Sequence, residues 1–129
     1  MSMRFTRLWA AALLLAASSA LPAVAAGSAE YAAAVKNIPA QSDKFRSMMS
    51  NLSAAQFHFV NVAGQVDAAT LKKNAAAISD LRDTLSHATL VDNQGIVVTL
   101  SKVLLSKNLT IAQIVGISIG GTQITLFYQ

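Results

Sequence analysis

The sequence predicts an α+β fold: a small two-layer domain with a roughly three-stranded sheet and a C-terminal β-hairpin packed against helices. Three observations predict it. Residues 56–62, QFHFVNV, are rich in aromatic and β-branched residues and stop at Ala63-Gly64. Residues 67–88, DAATLKKNAAAISDLRDTLSHA, carry apolar side chains at a 3.6-residue period. The tail, VGISIGGTQITLFYQ, sets two apolar, β-branched runs on either side of Gly120-Gly121.

The first 26 residues are expected to lie outside the fold. MSMRFTR carries Arg4 and Arg7, LWAAALLLAA is a short apolar centre, and SSALPAVAA closes with small residues after Pro22. That order is the pattern of a secretory signal peptide cleaved after Ala25 or Ala26. A spanning helix needs about 20 apolar residues, and Pro22 and the serines interrupt this run. The chain is then a signal peptide over 1–26 and one exported domain over 27–129. The alanine-rich style suggests a bacterial export signal and a periplasmic or secreted location.

Within the domain, GSAEYAAAVKNIPAQ (27–41) reads as a short helix after Ser28, ended ahead of Pro39 because proline disfavours the helical conformation in the residue before it. Ser42 is expected to cap a second helix, with Phe45, Met48, Met49 and Leu52 on its core face. In the strand at 56–62, Phe57 and Phe59 face one way and His58, Val60 and Val62 the other. Apolar groups on both sides suggest a strand that is central or covered on both faces. Asp67 is a natural N-cap for the long helix. Its stripe is Leu71, Ala75, Ile78, Leu81, Arg82 and Leu85, and Lys72, Lys73, Asp80 and Asp83 lie away from it.

DNQGIVVTLSKVLLSKN (92–108) reads as a further helix over 92–107, with Asp92 as its cap and Asn108 past its end. Ile96, Leu100, Val103 and Leu104 make one face, while Val98 and Leu105 sit elsewhere on the wheel. Thr110 is expected to cap one more turn. In the tail, a two-residue loop at Gly120-Gly121 would pair Ile119 with Thr122, Ile117 with Ile124 and Val115 with Leu126, and set Ser118 opposite Gln123.

GISIG (116–120) matches G-x-S-x-G, the nucleophile elbow of serine hydrolases. An elbow needs a helix after the serine and then an acid and a histidine further along the chain. The residues after Gly120 alternate like a strand, and no Asp, Glu or His stands beyond Ser118. Ser118 is therefore read as a strand residue. His58 and His87 lie far apart, with no further ligand three or four residues on from either, so no metal set of three or four forms. Asp80 and Asp83 read as an exposed solubilising pair, and the NLS and NLT triplets at Asn51 and Asn108 as helix-end residues. No glycine-rich phosphate loop is present. Catalytic, cofactor-binding and metal sites are all expected to be absent.

Ten Lys and Arg face six Asp and Glu; without Arg4 and Arg7, eight face six, a net charge of +2. No basic cluster remains to suggest nucleic acid, and no second membrane segment comes after the signal. There is no cysteine, so the domain of about 100 residues holds itself by packing alone. These features point to a non-enzymatic exported module acting through protein contacts. The alternative is a small-molecule or lipid carrier with an apolar pocket between the sheet and helix 92–107. Val98, Leu105 and Phe127 are the expected interaction surface, and the C-terminal strand is expected at an edge. The expected partner is a second copy in a homodimer or another exported protein.

Overall fold

A computed structural model describes residues 29–129; the expected signal peptide over 1–26 and the cap Ser28 lie outside them. Helical residues 29–35 (α1) lead through a turn at 36–37 into α2, Ile38–Met48. Pro39 sits in the first turn of α2, where its missing N–H costs nothing, so it opens this helix instead of only ending the one before. Ser42 is therefore an interior residue of α2 and not its cap, and its buried Oγ has no hydrogen-bond partner among the described residues. Arg46, on the outer side of α2, donates to Asp80 (2.7 Å) and Thr84 (3.0 Å) of the later helix Ala75–Ser86 and ties the two helices together.

Strand β1 is Phe57–Asn61. The expected long helix is two segments, α3 (Ala68–Lys73) and α4 (Ala75–Ser86). Asp67 caps the first by accepting from Thr70 N–H. The break falls at Asn74, whose side chain donates to Thr70 O at 2.9 Å and competes with the main-chain ladder.

The expected helix over 92–107 is corrected. Thr89–Val91 (β2) and Val97–Thr99 (β3) form a second, antiparallel hairpin, and only Leu100–Ser106 (α5) is helical. Asp92 caps the turn, its Oδ1 accepting from Gln94 N–H (2.8 Å) and Ile96 N–H (2.9 Å). Thr99 is the helix cap, accepting from Lys102 N–H. Asn108 ends α5 at φ 60, and Leu109 N–H reaches back to Leu104 O at 2.9 Å, a left-handed close of the Schellman type. Thr110 starts the expected short turn, Ile111–Gln113.

Strands β4 (Ile114–Gly120) and β5 (Gln123–Tyr128) form the C-terminal hairpin. The loop is Gly121-Thr122, one residue later than expected: Gly120 pairs with Gln123, Ile119 with Ile124, Ile117 with Leu126, and Ser118 faces Thr125. Gly121 takes φ +62 at the first loop position, which suits a type II′ turn.

The sheet order is β1-β5-β4, with β1 parallel to β5. The C-terminal strand is thus central, where an edge was expected, and β1, expected to be central or covered on both faces, lies at an edge. Ile117, Ile119, Ile124 and Leu126 share one face with Phe57, which Phe45 meets edge-on at 6.3 Å. Gly116 and Phe127 lie on the other face, beneath Tyr31, so helical residues reach both sides of the sheet. The α+β class and the C-terminal hairpin packed against helices are as the sequence predicts. Among the described residues no helix is long and apolar enough to cross a membrane.

Candidate functional site

Ser118 lies within β4, half-buried, beside a cleft of about 250 Å³ lined by Glu30, Ala33, Ala34, Asn37 and Gln41. Neither histidine lines that cleft. His58 contacts the Gln123 side chain at 2.5 Å, and His87 Nδ1 contacts Asp83 O at 2.8 Å. The strand after the serine is the feature that separates this hairpin from an elbow. Among the described residues no three His, Asp or Glu side chains converge as a metal site.

Asp80 and Asp83 do not act as a pair. Asp80 bonds Arg46, and Asp83 gives its carbonyl oxygen to Ser86 and His87. The Asp80 hydrogen bond is the main reason the Arg46 guanidinium is held above its ordinary value. Hydrogen bonds from Thr70 hold the Asp67 carboxyl below the usual range. Burial pushes the Tyr31 phenol up, against the pull of Arg82, while Asp67 adds to the rise. The three shifts have local causes: an ion pair between two helices for Arg46, a helix cap for Asp67 and burial for Tyr31.

The three surface residues expected from the sequence separate. Phe127 is fully buried, edge-on to Tyr31 at 5.6 Å, and is withdrawn from the surface because α1 covers that face. Val98 is half-buried and packs against the core from the inner face of the β2–β3 hairpin. Leu105 is 62% exposed on α5. The sequence reading missed Val97 (67% exposed), Ile96 (55%) and Val91. Val91 and Val97 are cross-strand partners, so they share the outer face of the hairpin. The turn run Asp92-Asn93-Gln94-Gly95 ahead of four β-branched residues was the signal that could have found them.

A second feature lies between sheet and α5. A cleft of about 310 Å³ runs beside Phe57 and Phe59 of β1, bounded by Ala54 and Ala55, by Asp92 and Asn93 of the hairpin turn, and by Val103, Ser106 and Lys107. Lys107 Nζ stands 5.3 Å from the centre of the Phe59 ring, within reach of a cation–π contact.

No family model, curated protein or solved structure matches this chain.

Proposed function

We propose that the chain is a small exported domain, periplasmic or secreted, that acts through protein–protein contacts and not through catalysis. The observation that carries this reading is the apolar exposure on the β2–β3 hairpin and on α5: among the described residues Val91, Ile96, Val97 and Leu105 stay exposed, while the other large aliphatic side chains are buried at least in part. Single exposed apolar residues are ordinary; a hairpin that holds Val91 and Val97 together on one face, with Ile96 exposed in the turn beside them, supports a contact surface there. Light scattering on the exported fraction, before and after Ile96→Thr, Val97→Thr and Leu105→Gln are combined, tests it. The native protein runs above the mass of one chain, and the triple variant runs as a monomer with unchanged melting. A native protein of monomer mass in that fraction would end the reading.

A second reading, a carrier of a small apolar or amphiphilic molecule, is favoured by the cleft beside Phe57 and Phe59. Its volume is at the lower end of ligand sites. Native mass spectrometry of the exported protein decides it, through a bound mass that is lost in Phe59→Ser.

A further inference from the structure

We infer that the outer edge of β1 is a self-association edge: two copies pair their β1 strands antiparallel about a two-fold axis at Phe59, which joins their three-stranded sheets into one. The inference rests on the contrast between the two edges of the sheet and is independent of the hairpin surface.

The β4 edge is closed by three side chains. Ile119 N–H donates to Gln41 Oε1 (2.9 Å), Tyr31 Oη donates to Val115 O (3.1 Å), and Arg82 Nε donates to Ile114 O (2.8 Å). Among the described residues no side chain closes the β1 edge in this way. In a parallel ladder alternate residues bond to the neighbouring strand. Val62 N–H donates to Tyr128 O at 2.8 Å, which sets the phase. His58 and Val60 then turn their peptide groups to β5, and Phe57, Phe59 and Asn61 turn theirs away. Phe57 N–H is taken by Ala54 O. The N–H and C=O of Phe59 and the N–H of Asn61 find no partner among the described residues. Among the described residues β5 is the one element in extensive contact with β1, and α5 stands across the cleft from Phe57 and Phe59.

The occupant is set by composition and register. Edge strands usually repel their own copies with charge, lysine above all. Strand β1 reads Phe-His-Phe-Val-Asn and holds no lysine, arginine or carboxylate. A two-fold at Phe59 sets Phe59 opposite Phe59, Phe57 opposite Asn61 and His58 opposite Val60, so among the strand's own residues no lysine, arginine or carboxylate meets its like; the one cation near the axis among the described residues is Lys107, which lies over the Phe59 ring. Each outward peptide then meets an outward peptide. Phe59 N–H bonds Phe59 C=O in both directions, and each Asn61 N–H bonds the opposing Phe57 C=O. An edge of five residues falls well short of the roughly 800 Å² per partner of a standard interface, so the dimer forms only at high protein concentration.

The chain has no cysteine, so a crosslink between introduced ones is unambiguous. His58 and Val60 of two copies would form a non-hydrogen-bonded pair with Cα atoms about 4.5 Å apart, inside disulfide span. Full-length His58→Cys and Val60→Cys proteins are mixed under mild oxidant, with Val97→Cys on β3 as control. The mixed His58–Val60 disulfide is expected at roughly fivefold or more the yield of His58 with Val97, given that alignment. Equal yields would overturn the proposal, as would self-crosslinking of Val97→Cys in preference, which places the second copy on the hairpin. Amide exchange of the unmodified protein decides the matter even where a cysteine variant folds poorly. The Phe59 and Asn61 amides slow as concentration rises if the edge pairs, and concentration-independent exchange at both overturns it.

Discussion

The ring of Tyr31 lies so close to Gly116 that a Cβ on residue 116 would stand 2.8 Å from Tyr31 Cε1. The same side chain meets Phe127 edge-on, and its hydroxyl donates to Val115 O, one residue from that glycine. A single aromatic residue of α1 thereby covers one face of the sheet and closes part of the β4 edge.

Gly116→Ala forces that packed ring to move and is expected to cost about 1–3 kcal/mol, the range for overpacking a core. Tyr31→Phe strands the Val115 carbonyl at a cost of about 1–2 kcal/mol. Urea unfolding checks both. The folded phenol of Tyr31 is raised above its ordinary value. Its contribution is complete below the unfolded value near 10 and is lost as pH rises from there through the folded value. The native protein therefore loses stability above about pH 10, and Tyr31→Phe loses the part of that slope due to this phenol.

The hairpin separates two adjacent glycines. Gly121 has φ +62 and Gly120 does not, although both have open space around them. Gly121→Val is expected to cost about 1–3 kcal/mol of backbone strain. Gly120→Val sits on a strand and stays near neutral. Melting temperatures of the two variants check the turn position, and equal losses would return the loop to Gly120-Gly121.

Two serines test chemistry against packing. Ser118→Ala leaves the fold, and any esterase activity measured, essentially unchanged, since no histidine lines its cleft. Ser42→Ala removes a buried hydroxyl that has no partner among the described residues and is expected to hold stability or raise it by about 1 kcal/mol. Loss of an activity in a folded Ser118→Ala protein would reopen the enzyme reading.

The class of the fold was legible because the strand at 57–61, the helical period from Leu71 to Leu85 and the C-terminal hairpin are local patterns. The parts that were not legible depend on contacts between distant segments. Ile96, Leu100, Val103 and Leu104 have helical spacing, but Ile96, Val97, Val98 and Thr99 are also β-branched, and pairing with Thr89–Val91 decides for a strand. Phe127 looked free because alternation sets it opposite Leu126's face, and nothing local to β5 announces that Tyr31, 96 residues earlier in the sequence, folds over it. The closing of the β4 edge by Gln41, Tyr31 and Arg82 has no sequence signature at all, and with it went the evident choice between central and edge strands. The cleft beside Phe57 and Phe59 takes part of its wall from Asp92 and Asn93, a turn that reads as helix in the sequence, and Asp92, Asn93, Ser106 and Lys107 make that wall polar where an apolar pocket was expected.

Export has a direct check. Mass spectrometry of the protein from the exported fraction should find a chain starting at Ala26 or Gly27. A chain that begins at Met1 in that fraction would remove the signal peptide from the proposal.

The central claim is that the outer face of the β2–β3 hairpin contacts another protein chain, and site-directed photo-crosslinking in the producing cell tests it most directly. A photoreactive side chain replaces Val97, 67% exposed on that face, and in a parallel strain it replaces Lys72 on the exposed side of α3. One discrete crosslinked product is expected from position 97, absent from position 72, and lost when Ile96→Thr and Leu105→Gln are added. Position 97 giving no product beyond that of position 72, in a protein that is exported and folded, would contradict it.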